Sequence, residues 1–206
     1  VPRPIDAAKD QAILVAATEL LFSEGPMACS MDAVARRARV SKVTVYARYA
    51  NRQALLDAVV QQCVRELSVE LDRAPSSRLG VREALVGFGD RLLCFIQSDA
   101  YWRLIRAMAS LQGLTEAEAA AIYQQGPQST LLRLAAWMQA ADAAGLGYFP
   151  APERDAEQLL GMWIGLDVVR ALYGLPPRRD AQAVRHHVAC VVDAFLLIHE
   201  PRPTMP

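Results

Sequence analysis

Two serines, Ser30 and Ser41, each stand immediately ahead of a short stretch with helical apolar spacing, and only the turn Arg39-Val40-Ser41 separates the two stretches. No other feature of the chain restricts its fold so tightly. A serine hydroxyl at a helix N-cap accepts a backbone N–H of the first turn. Ser30 therefore opens a helix over MDAVARRA, with Asp32 complementing the dipole, and Ser41 opens another from about Lys42 to Tyr49. Val34, Ala35 and Ala38 supply the buried side of the first. Two short helices joined by a turn of about three residues have the geometry of a helix-turn-helix, whose second helix fits a DNA major groove.

The rest of the chain reads as helix as well. Asp10 to Glu24 carries Ile13, Ala17, Leu20 and Leu21 at three-and-four spacing and stops at Gly25-Pro26. Asn51 caps a longer helix whose Leu55, Val59, Cys63, Leu67 and Leu71 share a side to about Asp72, and Ala74-Pro75-Ser76-Ser77 is the clearest linker. Further helices are expected near 79–97, 99–111, 116–142, 153–173 and 180–199, with breaks at Ser98, Gly113 and Gly174-Leu175-Pro176-Pro177 and a local interruption at Gly126-Pro127. Gly145 to Pro150 is a turn, and no alternating run makes a strand. The expectation is an all-α chain of about nine helices.

Charge is informative only by position. The 22 basic and 22 acidic side chains cancel, but residues 1–52 hold eight basic and five acidic, leaving fourteen and seventeen for the remainder. The two parts therefore sit near +3 and −3. Between residues 36 and 52 lie Arg36, Arg37, Arg39, Lys42, Arg48 and Arg52 with no acid among them, the local footprint of a polyanion-binding surface or of an ordinary solvated face. Cys29, Cys63, Cys94 and Cys190 are widely scattered with no C-x-x-C pair, which argues against a disulfide framework or a zinc site and fits a reducing cytoplasm. No stretch reaches about 18 consecutive apolar residues, and VPRPIDAAKD lacks the layout of a signal peptide, so neither membrane insertion nor export is expected. The chain opens on Val rather than Met, which leaves room for a longer amino-terminal arm.

From Ser30 to Leu56 the sequence SMDAVARRARVSKVTVYARYANRQALL resembles the DNA-binding segment of the TetR family of regulators. The resemblance is carried by Ser30, Val34-Ala35, Val40-Ser41, Thr44-Val45-Tyr46, Tyr49, Arg52 and Ala54-Leu55. Three positions depart from the usual pattern: Arg39 stands where a turn glycine is common, Val43 where a glycine often precedes the threonine, and Arg52 where a lysine is usual. An arginine held in a left-handed turn costs about 1 kcal/mol. More weakly, YWRLIRAMA, GPQSTLL, AAGLGYF and LLGMWIGL, between about residues 95 and 175, resemble the AefR-like subset.

The resemblance implies an N-terminal three-helix head at residues 1–50 and a ligand-binding and dimerisation domain at 51–206. It assigns Ser30, Arg39, Ser41, Lys42, Val43, Thr44, Tyr46, Tyr49 and Arg52 to the DNA side. Thr44 and one of Val43 and Val45 suit base edges, and the tyrosine hydroxyls suit phosphates, with core packing the competing role for Tyr46 and above all Tyr49. One head reads too few base pairs for selectivity, so a homodimer on a palindromic operator is expected, with half-sites about one turn apart. Val184, Val188, Val191 and Phe195, with Leu159, Leu166 and Arg170 on the preceding helix, form the expected seam, unless they are one chain's own core. Bulky side chains could line an apolar effector cavity: Phe88, Phe95, Trp102, Met108 and Tyr123, then Trp137, Met162 and Trp163, with Arg106 and Asp167 as orienting polar groups.

No cofactor is expected. The chain has no phosphate loop, G-x-S-x-G or H-E-x-x-H, and the adjacent His186 and His187 point to different helix faces, which leaves an all-α enzyme the weaker alternative. A helical protein-interaction module without DNA binding is the other. Effector, operator and the choice between repression and activation are not written in the residues, although repression is the family's usual mode.

Overall fold

The computed structural model describes residues 7–109 and 115–200, with side chains undescribed at 107–109. Every regular element in these residues is helical. Helix α1 (Ala7–Glu24) buries Ile13, Ala16, Ala17, Leu20 and Leu21 and ends at Gly25, whose positive φ of 88° turns the chain into a 3-10 turn at Pro26–Ala28. Helix α2 (Met31–Arg37) and helix α3 (Lys42–Tyr46) follow, then α4 (Arg52–Leu67), capped by the Asn51 carboxamide on the Ala54 N–H. The stripe expected to reach Asp72 breaks at Ser68. Its buried hydroxyl bonds back to the Val64 carbonyl, and the chain continues as a 3-10 turn at Val69–Asp72.

Helix α5 (Arg78–Ile96) is capped by Ser77, and α6 spans Asp99–Ala109. The expected break at Gly113 lies outside the described residues. Helix α7 (Glu116–Tyr123) starts with a full capping box between Thr115 and Glu118. It leads through one π-helical turn at Gln124–Gln128 into α8 (Ser129–Ala143). Pro127 accounts for that turn: with no N–H to give and a ring that crowds the preceding carbonyls, it is accommodated by the wider π geometry. The stretch expected as one helix at 153–173 is two, α9 (Pro152–Ile164) and α10 (Asp167–Leu172), split where Gly165 takes φ 51° and ψ −126°. The last, α11 (Ala181–Ile198), is capped by Asp180.

Contacts group these elements into two compact units, Val1–Cys63 with Asp99–Gly126, and Val64–Ser98 with Pro127–Pro206. The first is centred on Ile13, Ala17, Leu21, Val34, Val45, Leu55 and Val59, with Leu104 of α6 joining them. Residues near 99–126, far along the chain, thus belong to the same unit as the head. In the second, α5, α8, α9 and α11 bury Phe88, Leu93, Met138, Leu159, Trp163, Val188 and Phe195. Gly89 is required there, since a Cβ would lie 2.8 Å from both the Trp163 ring and Val188.

Helix α11 is also the one described helix long and apolar enough, by length and composition, to cross a membrane: its mean hydropathy is 1.3 although only 22 % of it is buried. The expectation from consecutive apolar residues missed this because Arg185, His186, His187 and Asp193 interrupt the run without lowering its mean far.

Candidate nucleic-acid interface

The head is built by two caps and one strained turn. The Ser30 hydroxyl accepts the Ala33 N–H at 3.2 Å, and the Ser41 hydroxyl accepts the Thr44 N–H at 3.1 Å while lying 2.7 Å from the Thr44 hydroxyl. Between them Arg39 adopts φ 55°, the only positive φ at a non-glycine residue among the described residues. The left-handed turn is therefore adopted despite the arginine, and Val40 N–H closes α2 by bonding the Ala35 carbonyl at 3.0 Å. Helix α3 ends at Tyr46, short of the expected Tyr49, although the Tyr49 N–H still bonds the Val45 carbonyl.

Helix α3 turns one valine each way. Val45 is fully buried, whereas Val43 is 78 % exposed and Tyr46 46 % exposed. Lys42 shares the outer side: its ammonium pairs with Asp32 at 2.7 Å and lies 5.9 Å from the Tyr46 ring centre, and the hydrogen bond to Asp32 raises its pKa. Both partners are largely in water, so this pair contributes little to stability. Arg36 and Arg39 are exposed, with no partner among the described residues, and border a shallow open groove with Glu24 and Met27. The outer surface of α2 and α3 thus combines cations, hydroxyls, one aromatic ring and one bare isopropyl group, a mixture suited to phosphates and base edges together.

Half of the basic cluster is used internally. Arg37 is held by Glu19 at 3.1 Å and Glu24 at 2.8 Å, and Arg48 donates to the Thr44 carbonyl at 3.2 Å with Asp10 3.7 Å away. Two residues assigned to the DNA side also turn inward. Tyr49 is buried and donates its hydroxyl to Asp10 at 2.9 Å, and burial, reinforced by that carboxylate, pushes its pKa well above the ordinary tyrosine value. The Arg52 guanidinium donates to the Cys29 carbonyl at 3.2 Å, to the Pro26 carbonyl at 2.6 Å and to Glu118. The carboxylates that decide these roles carry no local signal: Asp10 and Glu118 stand 39 and 66 residues from the side chains they bind.

The residues proposed for an effector cavity divide between the units. In the first, Trp102 is buried edge-on to Tyr101, while Arg106 and Tyr123 are exposed and line no interior; the Met108 side chain lies outside the described residues. In the second, Phe88 and Trp163 meet edge to face at 5.8 Å, both fully buried, and Phe95 and Met162 are half-buried. Trp137 spends its N–H on the Arg73 carbonyl at 2.9 Å, and the buried Asp167 accepts from Arg179 at 2.6 Å and Gln97 at 3.4 Å. The polar groups of Trp137 and Asp167 therefore already serve internal bonds. The Trp163 indole N–H is buried without an acceptor among the described residues.

The residues expected at the dimer seam divide as well. Leu159, Val184, Val188 and Phe195 are buried in their own unit, because the apolar stripe of α11 packs on α5 and α9 of the same chain. Val191 and Arg170 are half-buried, and the Arg170 guanidinium bonds the Pro176 carbonyl at 3.2 Å. Of the expected seam residues Leu166 is left in water, and with it stand Val169, Leu172 and Tyr173 on and beside α10, and Leu197 and Ile198 at the end of α11.

Known proteins match the chain in two blocks. Residues 13–59 match the family described as bacterial regulatory proteins of the tetR family, and residues 83–200 match the AefR-like transcriptional repressor C-terminal domain. The flavonoid-responsive regulator FrrA is 30 % identical, with 96 % of this chain and 100 % of that one covered at a TM-score of 0.65. A TetR regulator of Agrobacterium tumefaciens shares the fold at a TM-score of 0.73 with 22 % identity over 94 % of this chain and 95 % of that one. A curated relative, the HTH-type transcriptional regulator YdeS of Bacillus subtilis (strain 168), is 43 % identical over 54 residues, which is 26 % of this chain and only 27 % of that protein. With the tetR-family match on its capped helix-turn-helix and the AefR-like match over most of the remaining helices, the chain belongs to the TetR family of transcriptional regulators.

Proposed function

We propose that this chain works as a homodimeric repressor that leaves a palindromic operator when a small apolar molecule binds. Residues 1–50 serve as the DNA-reading head and 51–206 as the effector and dimer region. The observation that carries the DNA half is the outer side of α3, where Val43 and Tyr46 stand in water beside Lys42 while Val45 anchors the helix beneath. In the major groove, Val43 meets a thymine methyl, Thr44 reaches a base edge, and Lys42 and the Tyr46 hydroxyl hold phosphates. Ser30, Arg36 and Arg39 flank them.

Dimerisation is supported by the apolar surface of α10 and α11, with Tyr173 80 % and Leu197 72 % exposed. A second copy covering that surface would give the protein two heads, as a palindromic operator requires. The effector reading takes its chemical class from the flavonoid-responsive relative: a planar, weakly polar aromatic compound held among the buried aromatics of the second unit. It acts by favouring a conformation whose heads no longer match the operator.

The test is selection of bound duplexes from a random pool, followed by anisotropy across a salt series with and without a panel of flavonoids. Recovery of an inverted repeat whose binding weakens steeply with salt, and release by a panel member, are the expected results. Failure to bind any duplex at low ionic strength would reduce the chain to a helical protein-binding module.

A further inference from the structure

Arg52 is a cation of the head committed to three bonds within the chain. Its three bonds join two places far apart in sequence: the loop at Pro26–Cys29, and Glu118 in the first turn of α7. Both ends have structural consequences. The loop leads directly to Ser30, whose hydroxyl and carbonyl receive the Ala33 and Val34 N–H groups that start α2. Glu118 is at the same time the acidic member of the α7 capping box, accepting the Thr115 N–H at 2.9 Å. That hydrogen bond, with further help from the Thr115 hydroxyl and Arg52, holds its carboxyl below the usual range and so charged at neutral pH.

Geometry matters more than charge here. A guanidinium can serve two carbonyls and a carboxylate at once from one rigid plane, which a single ammonium cannot. The third group in the clamp is a carboxylate of this chain, and the side chain is only a quarter exposed. Arg52 is therefore not positioned to neutralise a phosphate.

We infer that Arg52 is an internal clamp through which the first turn of α7 sets the pose of the 26–30 loop, and with it the start of α2, making Arg52 a positioning residue for DNA binding. The consequence for regulation, which rests on the DNA-binding reading above, is that a displacement of the first turn of α7 reaches the 26–30 loop through this side chain, while Ile122 ties the far end of α7 to Val60 of α4. Glu118, on a different helix from every DNA-facing residue, then influences operator affinity without approaching DNA.

The test uses the full chain and variants E118Q, R52Q and R52K, with E116Q as a control on the same turn of α7. Glutamine is accepted in a capping box, so E118Q removes the charge presented to Arg52 while sparing the cap. Hydrogen exchange of the free protein is read first. The clamp predicts that amides at 28–35 exchange about tenfold faster in E118Q and R52Q, less in R52K, and within about twofold of the parent in E116Q, with exchange in α11 unchanged in all four. The second readout is the salt dependence of binding to a labelled duplex recovered by selection. R52Q should weaken binding with the slope preserved, whereas a lost phosphate contact would lower it by about 0.9. The R52Q/E118Q double variant should bind no worse than R52Q, as coupled residues do. Unchanged exchange at 28–35 in E118Q, or a slope reduced by about 0.9 in R52Q, overturns the clamp. Absence of DNA binding by the parent would instead overturn the function proposed above, and the exchange data would still decide the clamp.

Discussion

Helices α3 and α11 both leave apolar side chains in water, but in opposite surroundings. On α3 the exposed Val43 and Tyr46 sit beside Lys42, itself paired with Asp32 at 2.7 Å, with the exposed Arg36 and Arg39, which have no partner among the described residues, nearby and hydroxyls at Ser41 and Thr44. On α11 the exposed Leu197 and Ile198 lie about one turn beyond Asp193, whose carboxylate is already taken by Arg82 at 2.6 Å. An apolar group flanked by the guanidinium groups of Arg36 and Arg39 suits a polyanion with methyl groups in its grooves. One set beside neutralised charge suits another apolar protein surface. The proposed function rests its two different partners on this difference between the two helices.

The comparison can be broken most decisively at α11. Replacing Leu197 and Ile198 together by Asp should raise the dimer dissociation constant about 100-fold or more in sedimentation velocity, while leaving the helical content of the monomer intact. A dimer indifferent to that change would move the seam elsewhere. On α3 the two valines should separate. Val45→Ala should cost about 2 kcal/mol of stability in urea unfolding, from the cavity it leaves, whereas Val43→Ala should leave stability within about 0.5 kcal/mol and alter duplex preference instead.

The two tyrosines sharpen the contrast at smaller scale. Tyr49→Phe should cost about 1 kcal/mol of stability through the lost bond to Asp10, with DNA affinity falling only in proportion. Tyr46→Phe should do the reverse, weakening every duplex a few-fold at unchanged stability. The smallest expected effect is a gain: Arg39→Gly relieves the left-handed backbone and should stabilise the head by up to about 1 kcal/mol, read as a rise in melting temperature.

What could be read from the residues was what depends on near neighbours. Ser30, Ser41 and Asn51 cap the helices they precede because capping is settled within three residues, and Arg39 turns left-handed because the turn between α2 and α3 demands it. The sorting of Val43 outward and Val45 inward was open in the sequence, since two valines two residues apart on a helix face different ways but either could be the inner one. Arg52 and Tyr49 had no local signature for the roles they take, because their partners Glu118 and Asp10 arrive through folding. The stripe at Val184, Val188 and Phe195 looks the same whether it meets its own chain or a second copy; in the structure it meets its own. Helix α9 stops at Gly165 although the apolar pattern runs on, because spacing records which side is buried and not where the backbone turns.

The central claim, that the outer side of α3 is where duplex DNA is held, is tested most directly by fluorescence anisotropy of the double variant K42A/Y46F against selected and random duplexes over a salt series. The account predicts weaker binding to all of them and a salt slope lowered by about one phosphate contact, with an unchanged melting temperature. Affinity and slope equal to the parent would contradict it.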